Sequence, residues 1–115
     1  AARYLQRLVN HLFRKEDLVD ETAFPELRDE ITVYGVTWCP DCRQSRAVFE
    51  ETLTPYVWVD IDKSKKGEKF VLNTNRGSRS VPTILFPDGS ILVEPAEHEL
   101  RQTLQGYKNQ MTLRR

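Results

Sequence analysis

The sequence predicts an α/β domain, and three observations carry that prediction. From Ile31 onward, short β-rich runs alternate with helical stretches. The first two runs are separated by one short helical segment, and the last two by a Pro-Asp-Gly-Ser turn at residues 87–90. The chain has 115 residues, within the usual size of a single core.

Taken in order, residues 31–36 (ITVYGV) and 56–61 (YVWVDI) have the β-branched and aromatic content of buried strands. Residues 40–53 lie between them. Their Ala47, Val48 and Phe49, flanked by Arg46, Glu50 and Glu51, suit a helix with one covered face. A strand, helix, strand order with so short a helix implies a parallel, right-handed crossover. Residues 63–75 support a second helix through Phe70, Val71 and Leu72. Residues 83–86 (TILF) and 91–93 (ILV) read as an antiparallel hairpin across the 87–90 turn. A third helix is predicted over 95–104, with Pro95 at its start and Leu100 and Leu104 spaced four apart. The predicted order is β-α-β-α-β-β-α.

Residues 1–30 differ in character and are read as a helical extension to a domain at 31–115. Tyr4, Leu5, Leu8, Val9, Leu12 and Phe13 recur at helical spacing, and an acidic stretch with Pro25 comes after them. Such a helix packs on its own domain or docks a partner.

Lys plus Arg and Asp plus Glu each number 17, so no global field draws the chain to nucleic acid or an anionic membrane. No apolar run approaches the roughly 20 residues of a spanning helix. The charge is uneven, however. Residues 61–90 carry Lys63, Lys65, Lys66, Lys69, Arg76 and Arg79 against Asp62, Glu68 and Asp88. A solvated helix face explains such a run as readily as a binding role.

The two cysteines, Cys39 and Cys42, form one C-x-x-C that comes after the first strand and opens the next helix. Disulfide-stapled secreted domains of this size carry more cysteines, widely spaced, so a reducing cytoplasmic setting is expected. A thiol at a helix N-terminus meets unpaired N–H groups and the positive end of the dipole, which favours its thiolate. Cys39 holds that position. Pro40 suits the first helical residue and brings Cys42 back beside Cys39. Attack by Cys39 on a disulfide and displacement by Cys42 then make a two-step reaction. Zinc usually takes four ligands, and His11 and His98 have no spacing that would join this pair, so no metal is expected. An inert thiol pair leaves Trp38 and Pro40 without a role.

The segments VYGVTWCPDC at 33–42, VWVDID at 57–62, RSVPT at 79–83 and DGS at 88–90 together resemble the glutaredoxin family of the thioredoxin-like superfamily. The Trp-Cys start, the Asn-x-Gly-x-Arg-x-Val-Pro-Thr segment from Asn75 and the Phe-x-Asp-Gly-Ser hairpin from Phe86 are most similar to those of mycoredoxins and related bacterial proteins. The resemblance implies a four-stranded mixed sheet flanked by three helices, with Val81–Pro82 as a cis peptide facing the cysteines. It implies that the backbone of Val81 pairs with a bound thiol peptide. Trp38, Pro40, Arg43, Arg76, Arg79, Pro82, Asp88 and Gly89 complete the substrate-binding set it suggests, the arginines meeting carboxylates.

The same resemblance implies a monomeric thiol–disulfide oxidoreductase with no bound cofactor, acting on mixed disulfides or protein disulfides. Its reductant would be a low-molecular-weight thiol, glutathione or mycothiol. Two alternatives remain: a protein-disulfide reductase fed by a flavoprotein reductase, or a redox-switched binding module docked through the N-terminal helix. Two departures stand out. Asp41 occupies a position that is usually aromatic, and an acid there disfavours the neighbouring thiolate. Where glutathione-binding members carry a Gly-Gly-x-Asp signature, this chain has Asp88-Gly89-Ser90 and then Ile91-Leu92-Val93-Glu94-Pro95.

Overall fold

A computed structural model describes residues 29–113 of the chain, with side chains as far as residue 110. The helix expected within 1–30 lies outside the described residues. The most apolar run becomes the central strand β1 (Ile31–Gly35), whose five residues are all buried. Strand β2 (Tyr56–Asp60) lies parallel to it, with Val33 opposite Trp58 and Gly35 opposite Asp60. Strand β3 (Thr83–Leu85) is antiparallel to β1 on its other side, and β4 (Ile91–Val93) closes the sheet in the order β2-β1-β3-β4.

Side chains alternate across the sheet with the period of a strand, so β1 supplies two cores. Ile31 and Val33 join Val48, Phe49, Ile84, Phe86, Leu100 and Leu104 on the face covered by α1 (Pro40–Glu51) and α3 (Glu97–Leu113). Tyr34 and Val36 join Ile61, Phe70, Val71 and Leu85 on the opposite face, under α2 (Lys65–Thr74). Ser64 caps α2 by accepting the Gly67 N–H at 2.9 Å. In the β3–β4 hairpin Phe86 N–H reaches Ser90 O at 2.9 Å, and Gly89 takes φ 91°, which its missing Cβ allows.

Element ends differ from the sequence expectation in physically clear ways. Helix α1 stops at Glu51 because Thr52 turns its hydroxyl back to Val48 O at 2.7 Å and Leu53 enters the left-handed region at φ 55°. Pro95 precedes α3 and does not begin it. Glu94, at φ 48°, gives its N–H to Pro82 O and turns the chain before the helix starts at Glu97. At its other end α3 runs well past Leu104. There the Tyr107 and Phe86 rings meet edge to face with centroids 5.8 Å apart, and the Lys108 ammonium donates to the Thr52 carbonyl.

Candidate active site

Cys39 is the N-cap of α1, in extended conformation with φ −88° and ψ 121°, and Pro40 takes the first helical position. Its Sγ accepts the Cys42 N–H at 3.4 Å, so the sulfur sits among the unpaired donors of the helix start. Cys39 is half-buried, while Cys42 is fully buried one turn in; both are free thiols. Burial pushes the Cys42 thiol up to about 12. A backbone hydrogen bond from Val36 pulls the other way, and the hydrogen bond and charge of Cys39, then the charge of Asp41, push further up.

The buried sulfur needs Gly35. A Cβ there would lie 2.7 Å from Cys42 Sγ and 2.8 Å from the Trp58 ring. Only a glycine lets α1 bring its second cysteine this close to the sheet. The Arg46 guanidinium stacks over the Trp58 ring, 4.1 Å from its centroid.

Val81–Pro82 is a cis peptide, and Val81 packs on the same core cluster as Cys39. The loop that leads into it is tied at its base. Thr83 Oγ1 donates to Ser80 O at 2.7 Å, and Asn75 Nδ2 reaches Thr83 Oγ1 at 3.1 Å. Among the described residues, neither the N–H nor the C=O of Val81 enters the backbone hydrogen bonds that close this loop.

Trp38 is 65% exposed beside Cys39, and its Nε1–H donates to Asp62 Oδ2 at 2.8 Å. Asp62 Oδ1 accepts from Arg79 Nη2 at 2.5 Å, and Arg79 Nε donates to Glu68 Oε2 at 2.8 Å. The Arg79 and Trp38 hydrogen bonds hold the Asp62 carboxyl below the usual carboxylate range. Arg43 points back to Thr37 O at 3.4 Å, and Arg76 stands exposed at φ 55° after α2.

Asp88 and Gly89 are not brought to the cysteines. In the antiparallel register Thr83 pairs with Tyr34 at the cysteine end of β1 and Leu85 with Thr32 towards the other, so the 87–90 turn lies at the opposite end of the sheet. There Asp88 binds its own turn, accepting from Ser90 N at 2.9 Å and Ser90 Oγ at 2.7 Å. Sequence reasoning did not single out Gly35, Asp62, Glu68 or Asn75. A glycine inside a β-branched run is itself a signal of close approach. Asp62 and Glu68 act through partners 11 to 24 residues away in the chain, and Asn75 through Thr83, eight residues on. Among the described residues no group of His, Cys, Asp and Glu could hold a metal ion, and no helix is long and apolar enough to cross a membrane.

A family model for glutaredoxin matches residues 31–93, which hold the whole arrangement just described. A candidate glutaredoxin of Mycobacterium tuberculosis is 34% identical over 74 residues, 64% of this chain and 88% of that protein. Mycoredoxin 1 of Corynebacterium glutamicum is 30% identical over 70 residues, 61% of this chain and 86% of that protein. The crystal structure of a glutaredoxin from Archaeoglobus fulgidus shares the fold at TM-score 0.53 and 23% identity, over 64% of this chain and 84% of that one. A structural-genomics target protein from X. campestris does so at TM-score 0.50 and 24% identity, over 66% and 96%.

Proposed function

This chain belongs to the glutaredoxin family and is a mycoredoxin-like thiol–disulfide oxidoreductase, from which we propose that Cys39 is its attacking thiol and Cys42 its resolving thiol. The observation that carries the proposal is the inequality of the pair. Cys39 caps α1 half-exposed among helix N–H donors, and Cys42 is buried with its thiol pushed up to about 12. A thiolate is the nucleophile in exchange, so the sulfur at the helix start acts first.

The Cys39 thiolate attacks one sulfur of a substrate disulfide, forming a Cys39–substrate bond and expelling the other sulfur as a thiolate. Cys42 stays protonated through this step. It then gives its proton to a departing thiolate and attacks Cys39 Sγ, releasing the second substrate thiol and leaving a Cys39–Cys42 disulfide. Two electrons have passed to the substrate. Two molecules of a low-molecular-weight thiol return them and leave as their own disulfide. The backbone of Val81, before Pro82, lies against the bound substrate as an added strand, supported by its freedom from the loop's own hydrogen bonds. Pro40 fixes the turn, and Arg43 and Arg76 are the cations proposed to meet substrate carboxylates.

The test supplies one mixed-disulfide peptide with each reductant in turn: glutathione, mycothiol, or a flavoprotein dithiol reductase alone. Turnover is expected with a low-molecular-weight thiol, and the two thiol arms identify which. Turnover only with the flavoprotein acting directly on the pair would overturn this donor.

A further inference from the structure

The Nε–Nη2 edge of Arg79 is already shared between Glu68 and Asp62, so this edge cannot grip a substrate carboxylate without breaking the network. What the guanidinium does instead is hold Asp62, whose second oxygen takes the Trp38 indole N–H at 2.8 Å. Four segments meet in this chain of contacts. Trp38 lies in the β1–α1 loop, Asp62 in the β2–α2 loop, Glu68 in the first turn of α2 and Arg79 in the loop before Pro82. Trp38 directly precedes Cys39, and a large indole left 65% exposed there is the kind of aromatic anchor that contacts a partner.

We propose that Arg79 is a positioning residue: braced by Glu68, it fixes the Asp62 carboxylate on Trp38 and so keeps the indole as an aromatic wall for polypeptide disulfides bearing an apolar side chain beside the cysteine. This rests on Cys39 as the attacking thiol. It gives Trp38 a substrate-specific task and removes Arg79 from the carboxylate-binding set.

The experiment measures KM and kcat for a disulfide-bonded peptide with an apolar residue next to its cysteine, in a double-mutant cycle. Arg79→Ala and Trp38→Phe, which removes the indole N–H, should each raise KM by about three-fold, with kcat changed less, as suits an exposed ion-pair network. The double variant should be no worse than the poorer single, because both changes break one connection. Arg101→Ala is the control. Arg101 also lies between two carboxylates, Glu51 and Glu97, but on α3, and its loss should leave KM alone. Single effects that multiply to about nine-fold in the double variant would overturn the proposal, since independent sites add in free energy. An unchanged KM in Arg79→Ala would also overturn it, as would a KM raised only for a small disulfide bearing carboxylates. Cys39→Ser in the same assay keeps the two readings apart. Residual turnover there defeats the attacking-thiol assignment, whatever the cycle shows.

Discussion

A methyl group added at Gly35 has no space to enter. It would stand 2.7 Å from Cys42 Sγ and 2.8 to 3.0 Å from two atoms of the Trp58 ring, where ordinary contacts begin at 3.4 Å. Cys42 is held by the start of α1, and the Trp58 ring carries the Arg46 guanidinium over it at 4.1 Å, so both must shift to admit the methyl. Gly35→Ala should therefore cost about 1–3 kcal/mol, the usual range for overpacking. At about 4–8 °C per kcal/mol in a domain of this size, Tm of the reduced protein should fall by roughly 4–24 °C. Displacing Sγ also moves the resolving thiol. A shift of about 1 Å can slow a positioned reaction on the order of 100-fold, so turnover of protein disulfides should drop well beyond the stability loss. Thermal denaturation monitored by circular dichroism reads the first effect, and single-turnover kinetics at a temperature where the variant is folded reads the second. Lost stability with unchanged turnover assigns the movement to Trp58. An unshifted Tm with unchanged turnover would refute the close packing of Cys42 against β1.

Three further outcomes are expected. Burial raises the Cys42 thiol from 9.0 to about 12, so its protonated state stabilises the reduced fold fully below pH 9 and that contribution is lost as pH rises towards 12. Denaturant titrations of the reduced chain and of Cys42→Ala should thus converge across that alkaline window, and parallel curves would contradict the burial. Asp41→Asn removes a charge beside the thiols, so iodoacetamide should modify Cys39 faster at neutral pH. Asp41 is exposed, and screening keeps the gain below about ten-fold. A chain beginning at Asp29 should reduce disulfides at the rate of the full chain, since the family match begins at residue 31. Loss of that activity in a folded truncation would bring residues 1–28 into the site.

What the sequence made legible is what local physics determines. Buried strands read as continuous apolar runs, so β1 stood out. The run at 56–61, read as equally buried, forms the edge strand β2, which is only half-buried because one side of it has no neighbouring strand. Pro87-Asp88-Gly89-Ser90 could only be a turn. The C-x-x-C announced its chemistry through its place at a helix start. Gly106 weakens a helix locally, and α3 passes through it because Tyr107 covers Phe86 and Lys108 ties the helix to the end of α1, contacts no local pattern contains. The site divides in the same way. Cys39, Pro40 and Cys42 are one motif. The bond from Trp38 to Asp62, 24 residues on, exists only because the crossover returns β2 beside β1. Arg79 could be read as a free cation until Glu68 and Asp62 were seen around it. Family resemblance puts Asp88 and Gly89 in the substrate-binding set, and the antiparallel register carries them to the end of the sheet away from the cysteines.

The division of labour between the two thiols is tested most directly by trapping the intermediate. Each single variant, Cys39→Ser and Cys42→Ser, is incubated with a mixed disulfide of a small thiol and a peptide, and the adduct is mapped by mass spectrometry. Cys42→Ser should hold a mixed disulfide on Cys39 and still release small thiol from mixed disulfides, while failing on protein disulfides. Cys39→Ser should carry no adduct and show no turnover. An adduct on Cys42 in that variant, or equal loss in both variants for both substrate types, would contradict the account.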